Sequence, residues 1–407
     1  MSAKPRSWSR TSCKPVRASP EFRFATCRLH LAPVMPIVIQ PYREELQPAV
    51  QDFNQRLQSG GAEPDLVFFT RAQPRWLPHS DGASLYQEYF VALENGVVRG
   101  GYALKRQDFF FSDGITRNVA YYHHPLSEGI VNKSYAAVGA MLLKDAMNRS
   151  PLLYCLGMGG YDRPLPKMLI SLGWAHFAVP FYFHVPHPNR FFREIQALRS
   201  SPLRRLLLNL AAWTGTGWAG VKTIQGLRKL RAPKRASFTA EPVEEFSEWV
   251  DPLWERAKAD YAMTAVRDCE TLRTLYPASD KHFTRLRVRR GGQDIGWAVV
   301  GERRKDEKYG AMRVGSIVDC WAAPENALPV IQAASSTLTD QGADLIVSNQ
   351  SHRLWARALE DAGSLGSQSN FIFAAGKGLS ALLQPFAETQ SRLHLTRADG
   401  DGLPRNF

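Results

Sequence analysis

One order of hydrophobic blocks, met twice, limits what this chain can fold into more than any other feature. In the first half an apolar run at 119–122 reads as a strand, and a turn spans 123–133. An apolar-periodic helix at 134–149 follows, with Ser134 as its expected N-cap, and then an apolar strand at 152–158. Gly159 and Gly160 lead into a short helix that ends at Leu172, Gly173 and Trp174. Strand, helix, strand in this order is a βαβ crossover, which requires parallel neighbours in a sheet. In the second half 314–321 reads as a strand and 324–341 as a helix stopped by Gly342. A strand at 344–348 and a helix at 353–362, stopped by Gly363, complete that half. The hairpin glycines Gly96 and Gly292 are 196 residues apart, and the post-helix glycines Gly173 and Gly363 are 190 apart. An offset so nearly constant is the signature of one unit present twice.

The flanking elements fit the same plan. Residues 36–40 open a strand, and 43–57 form a helix with Leu46, Val50, Phe53 and Leu57 on one stripe. Residues 86–93 and 97–105 make a hairpin across Asn95-Gly96, and 176–185 read as one final aromatic strand. The second half brings a helix at 243–258, a hairpin from 283–288 to 295–301, and a last strand at 370–374. The expected organisation is α/β: domains at 35–186 and 238–393, a leader at 1–34, a linker at 187–237 and a frayed tail at 394–407.

The net charge of +13 belongs to the appendages. Residues 1–35 hold seven Lys and Arg against Glu21 alone, and 189–235 hold eleven against Glu194 alone. The two cores are therefore not basic, and nucleic acid is not their expected partner. The leader reads either as an extension ahead of a start at Met35 or as an Arg- and Ser-rich targeting segment. The linker reads as basic helices bracing the two domains, or as a surface lying peripherally on an anionic membrane. No apolar run approaches the roughly 18 residues of a spanning helix. The five cysteines form no CxxC pair and no zinc spacing, so a reducing, cytoplasmic setting and no metal are expected.

The strand, loop, helix, strand order with Leu172-Gly173-Trp174 resembles the GNAT acyltransferase superfamily. The resemblance implies two tandem GNAT-like mixed-sheet domains joined by the basic helical linker, with acetyl-coenzyme A or another acyl-coenzyme A as co-substrate. It places the pyrophosphate on the loop after 119–122, hence on Gly129, Ile130, Asn132, Lys133 and Ser134. It also expects a proton-donating tyrosine where this chain has Leu169 and Leu359. The residues themselves add four candidates for chemistry. Asp319 lies inside an apolar strand, where a carboxylate must be paired or working. His352 follows the next strand and is a candidate partner for it. One of His123 and His124, at a strand's carboxyl end, is a candidate base, with His124 preferred, and one of Tyr121 and Tyr122, which alternation sends to opposite faces, is a candidate proton donor, with Tyr122 preferred. The acceptor would be an amine on a small molecule, sugar or envelope precursor. Two further readings stay open: Fem-like aminoacyl transfer from charged tRNA, and a degenerate pair that binds a ligand without turnover.

Overall fold

The computed structural model describes residues 36–188, 190, 191, 223, 237–306 and 310–400. The leader at 1–34 and nearly all of the linker at 187–237 lie outside the described residues. Residues 37–400 build two mixed sheets. The first runs β1 (Val38–Pro41), β2 (Tyr86–Glu94), β3 (Val97–Phe111), β4 (Thr116–Ser127), β5 (Leu153–Gly157), β15 (Ile372–Ala375), β6 (Ala175–Ala178). A short strand β9 (Met263–Ala265) pairs with the far end of β3, and β16 (Leu393–His394) pairs with β9. The second sheet runs β14 (Leu365–Ser367), β7 (Phe181–His184), β13 (Leu345–Asn349), β12 (Gly310–Ala322), β11 (Gln293–Asp306), β10 (Phe283–Arg290), β8 (Thr239–Val243).

Both hairpins form where the sequence places them. Asn95 and Gly96 adopt φ of 51° and 79°, and Gly291 and Gly292 adopt 54° and 79°. These left-handed pairs match the twist of the strands they join. Each sheet has its one expected parallel crossover, β4 to β5 through α2 (Val138–Arg149) and β12 to β13 through the helix Ala327–Asp340. Alternation along β4 sends Ala120 and Tyr122 under α2, where Leu142, Leu143, Leu169 and Trp174 close a core. Tyr121 goes to the opposite face, against Tyr154 and Leu156.

Four expectations change. The helix expected at 243–258 spans Asp251–Ala257, and Val243 instead ends β8, paired with β10. The run at 176–185 is two strands, not one. Pro180, which has no N–H, interrupts it, and β7 crosses into the second sheet. In exchange β15, from the second half of the sequence, inserts between β5 and β6 of the first sheet. The helix expected from 134 begins at Val138, because Asn132 Oδ1 accepts from the Ser134 N–H at 3.1 Å and caps a 3-10 turn at Lys133–Tyr135. Residues 394–400, expected to fray, are buried apart from the half-buried Arg397, with His394, Leu395 and Thr396 fully inaccessible. Among the described residues no helix is long and apolar enough to cross a membrane.

Candidate functional site

Strands β4 and β5 pair only at Ala120–Leu153 and Tyr121–Tyr154. Beyond Tyr121 they part, and among the described residues no strand pairs with β4 on that side as far as Ser127. Its register against β3 passes from Ala103–His123 to Gly101–Leu126, so β4 carries one extra residue here. This bulge turns His124 to φ 51°, a conformation a non-glycine residue holds only when its surroundings fix it. The fixing contacts are a 2.7 Å approach of His124 Nε2 to the Val67 carbonyl and packing on Phe69, 5.0 Å between centroids.

The loop after β4 gathers all five residues expected at the pyrophosphate. Gly129 is required there: a Cβ would stand 2.7 Å from the Tyr135 carbonyl oxygen and 2.9 Å from Ala136 Cα. Ile130 is exposed, Lys133 lies in the 3-10 turn, and Asn132 and Ser134 are bonded to each other. Glu128 anchors the loop from beneath. Its buried carboxylate accepts from Arg99 at 3.0 Å and Arg56 at 3.2 Å, which cancels its charge at the mouth of the loop. The first-turn N–H groups of α2, free of intrahelical acceptors, follow directly.

The matching cleft in the second half is filled. There β12 and β13 pair from Val314–Leu345 to Ser316–Val347, and β12 bulges between its partners Val299 and Val300. The chain's own residues 393–397 run along the continuation of β13. Ser351 N–H donates to the Leu395 carbonyl at 3.1 Å, Leu395 N–H to Ser351 Oγ at 2.8 Å, and Arg397 to Asn349 Oδ1 at 2.7 Å. Thr396 Oγ1 donates to Asp319 Oδ1 at 3.0 Å. Ahead of the helix the turn Pro324–Asn326 offers one N–H fewer and carries Glu325 in place of a cation.

Asp319 is thus the hub of a buried network. Arg267 Nε donates to it at 3.1 Å and Tyr276 Oη at 3.0 Å, while Arg267 also reaches Asp399 at 2.9 Å. Burial pushes the Asp319 carboxyl up and Arg267 opposes that shift. Two converging carboxylates hold the guanidinium charged. His352 does not join them. Its Nδ1 accepts from Leu354 N–H at 3.3 Å and so caps the helix Arg353–Asp361, and its ring lies edge-on to Tyr261. Tyr122 is in the core under α2, 5.2 Å from Tyr102 between centroids. Burial raises its phenol far above the usual range, and its hydroxyl has no hydrogen-bond partner among the described residues. Leu169 and Leu359 are core residues, exposed to 0% and 1%.

The face of the first sheet opposite α2 carries Gln87, Lys105 and Tyr154, which sequence reasoning did not single out, beside Tyr121 and His123, which it did. Cross-strand registers align Gln87, Lys105, Tyr121 and Tyr154 in one row. Tyr121 Oη donates to the Leu156 carbonyl and Tyr154 Oη to the Asp399 carbonyl, both at 2.8 Å. His123 stacks on Tyr121 at 4.9 Å, at the point where β4 and β5 part. Burial takes His123 down to about 3, aided by His124 and Lys105. Lys105 is 4% exposed, and its Nζ donates to the Ala398 carbonyl at 3.3 Å. Burial takes it down to about 8, against the pull of Asp399. The available signal was a lysine directly after the apolar run at 102–104, within the same strand. No group of three or more His, Cys, Asp or Glu side chains suited to a metal occurs among the described residues.

No family model matches the chain and no curated protein matches it. Solved structures do. A conserved protein from Enterococcus faecalis V583, described as a probable N-acyltransferase, is 10% identical, with 86% of this chain and 74% of that chain covered and a TM-score of 0.47. Saccharomyces cerevisiae N-myristoyltransferase with bound myristoyl-CoA is 8% identical, with 84% and 79% covered and a TM-score of 0.47. A GCN5-related N-acetyltransferase from Anabaena variabilis ATCC 29413 is 11% identical, with 83% and 72% covered and a TM-score of 0.44.

Proposed function

We propose that this chain is an N-acyltransferase of the GNAT kind, taking the acyl group from an acyl-coenzyme A held by its first half. One observation carries the reading: β4 and β5 part after two residue pairs, and the bulged β4 runs straight into a glycine-dependent loop and a helix N-terminus. Past Tyr121, among the described residues, no strand pairs with β4 on the β5 side. That edge suits an extended, amide-containing arm, as an added strand would use it. The loop and helix end suit a pyrophosphate, through free N–H groups and the helix dipole. Gly129 lets the loop close, Asn132 and Ser134 shape its turn, Ile130 flanks it, and Lys133 adds the only lysine charge in the turn. The second half fits this task poorly, because residues 393–397 lie in its cleft and Pro324 and Glu325 precede its helix. It serves as the wall that holds the C-terminal segment against the first sheet.

The acceptor is an amine, on a small molecule, sugar or envelope precursor, that meets the thioester where β4 and β5 part. His124 and Tyr122 are assigned to the bulge and the core, and Asp319 and His352 to structure.

Calorimetry of acetyl-coenzyme A binding to the full chain tests the reading. Lys133→Glu is expected to weaken binding about tenfold, the cost of facing a diphosphate with a carboxylate at a partly screened site. Unchanged affinity in that variant moves the site elsewhere. A parent protein that does not bind acetyl-coenzyme A sinks the reading, and transfer that requires charged tRNA would replace it.

A further inference from the structure

The gap between β4 and β5 has two walls, on opposite faces of the sheet, and an ion pair joins them. One wall is the segment that follows the helix Gln47–Ser59. Phe68 in that segment packs against Gly101 of β3, where a Cβ would stand 2.6 Å from its ring. Gly100, the residue before, instead faces Val138 of α2, so this segment and α2 lie on opposite faces. The segment follows the parted stretch of β4: Gly60 abuts Val131 beyond its end, and the Val67 carbonyl meets His124 Nε2 at the bulge. The other wall is the run from Gly157 that leaves β5 and enters the helix Pro164–Ser171, whose Leu169 belongs to the core under α2.

Arg163, at the start of that helix, places Nη1 3.6 Å from Glu63 Oε1 of the first wall, and both side chains are more than half exposed. The pair therefore runs from one face of the sheet to the other at the carboxyl ends of β4 and β5, across the route of an arm laid along β4. Each partner follows a pair of glycines within three residues, Gly60-Gly61 before Glu63 and Gly159-Gly160 before Arg163. Gly61 has φ 87° with nothing within 4 Å of a Cβ, and Gly160 has φ 113° with its nearest neighbour at 3.6 Å. Room for a side chain exists at both, so glycine serves the left-handed backbone there, and a turn at either disturbs little packing. An exposed ion pair on such mounts opens readily.

We propose that Glu63 and Arg163 form a strap across the mouth of the gap, opening to admit the arm of acyl-coenzyme A and closing over it, a role that rests on the acyl-coenzyme A reading given above. A strap and a ligand contact differ in kinetics. A contact slows departure alone and so tightens binding. A strap slows entry and departure alike and leaves affinity unchanged. The two residues also separate under the rival role. An arginine that binds phosphate would lose affinity on removal, whereas Glu63 could only repel that ligand.

Stopped-flow mixing of acetyl-coenzyme A with the full chain, followed by tryptophan fluorescence, gives both rates. In Glu63→Gln and in Arg163→Gln, association and dissociation are each expected to quicken about threefold at low salt, the range open to one exposed ion pair, with their ratio unchanged. The exchanged pair, Glu63→Arg with Arg163→Glu, is expected to return both rates to the parent values. The difference between parent and single variants should close at about 1 M salt, which screens exposed charges. Parent rates in Glu63→Gln at low salt overturn the strap. A loss of affinity confined to Arg163→Gln also overturns it, and makes that arginine a phosphate ligand. Both results leave the cofactor site standing, because acetyl-coenzyme A still binds. A parent that does not bind acetyl-coenzyme A removes that reading, and the strap with it.

Discussion

At the scale of single residues, burial decides which polar groups hold the fold together. Arg267 and Asp319 are each 1% exposed or less and lie 52 residues apart in sequence. Removing one partner strands a charge in the core. Arg267→Met is therefore expected to cost about 3–5 kcal/mol, read as a lower denaturant midpoint, and Asp319→Ala a similar amount. Acyl-coenzyme A affinity below the transition should stay at the parent value in both, since neither residue lies at the phosphate loop. A large affinity loss in folded Asp319→Ala would return that residue to the active site. Histidines give a second prediction. Burial lowers His123 to about 3 and His352 to about 4, and it lowers His394 well below its usual value. Each folded value lies below the unfolded value of about 6.5, so the unfolded chain binds protons first. Stability should decline as pH falls from about 6.5 towards 4, and His352→Gln should make that decline shallower. A urea midpoint equal at pH 7 and pH 5 would contradict this. The cost of a carboxylate in an apolar strand made Asp319 legible in the sequence. Arg267 was not, because nothing local ties it to a strand 52 positions on. Which face of the sheet His123 and His124 take turns on a bulge, which shifts alternation by one and leaves no trace in composition.

Elements were legible where periodicity was long and turn chemistry explicit. The hairpins at Asn95-Gly96 and Gly291-Gly292 and the two crossovers stand where hydrophobic pattern puts them. Boundaries were less legible where a side chain competes with the backbone, as Asn132 does for the N–H of Ser134, or where one proline redirects an apolar run, as Pro180 does. The loop between β4 and α2 has its own prediction. Gly129→Ala places a methyl 2.7 Å from a backbone oxygen, so the turn must shift. Acetyl-coenzyme A affinity should fall about tenfold, with a stability loss of about 1–3 kcal/mol. Unaltered affinity at that glycine would argue against the loop as the phosphate site.

The whole molecule departs furthest from the sequence reading in how the two sheets share strands. Adjacent segments were assigned to one sheet each, but β7 lies between β13 and β14, and β15 between β5 and β6. Pairing across such distances leaves no local signature, since either strand alternates as well in one sheet as in the other. Residues 37–186 alone should therefore fail to fold, being denied β15, while 37–192 and 237–400 expressed together should associate and give one cooperative transition. A stable, monomeric 37–186 fragment would show that the exchange is dispensable. The burial of residues 393–400 matters at an earlier moment, when the chain is made. Synthesis proceeds from the N-terminus, so Arg267 and Asp319 are made more than 70 residues before Thr396 and Asp399, the groups that close over them. Until that segment docks, the buried charge pair lacks two of its partners, so a chain cut before residue 393 would leave the centre of the molecule unsealed.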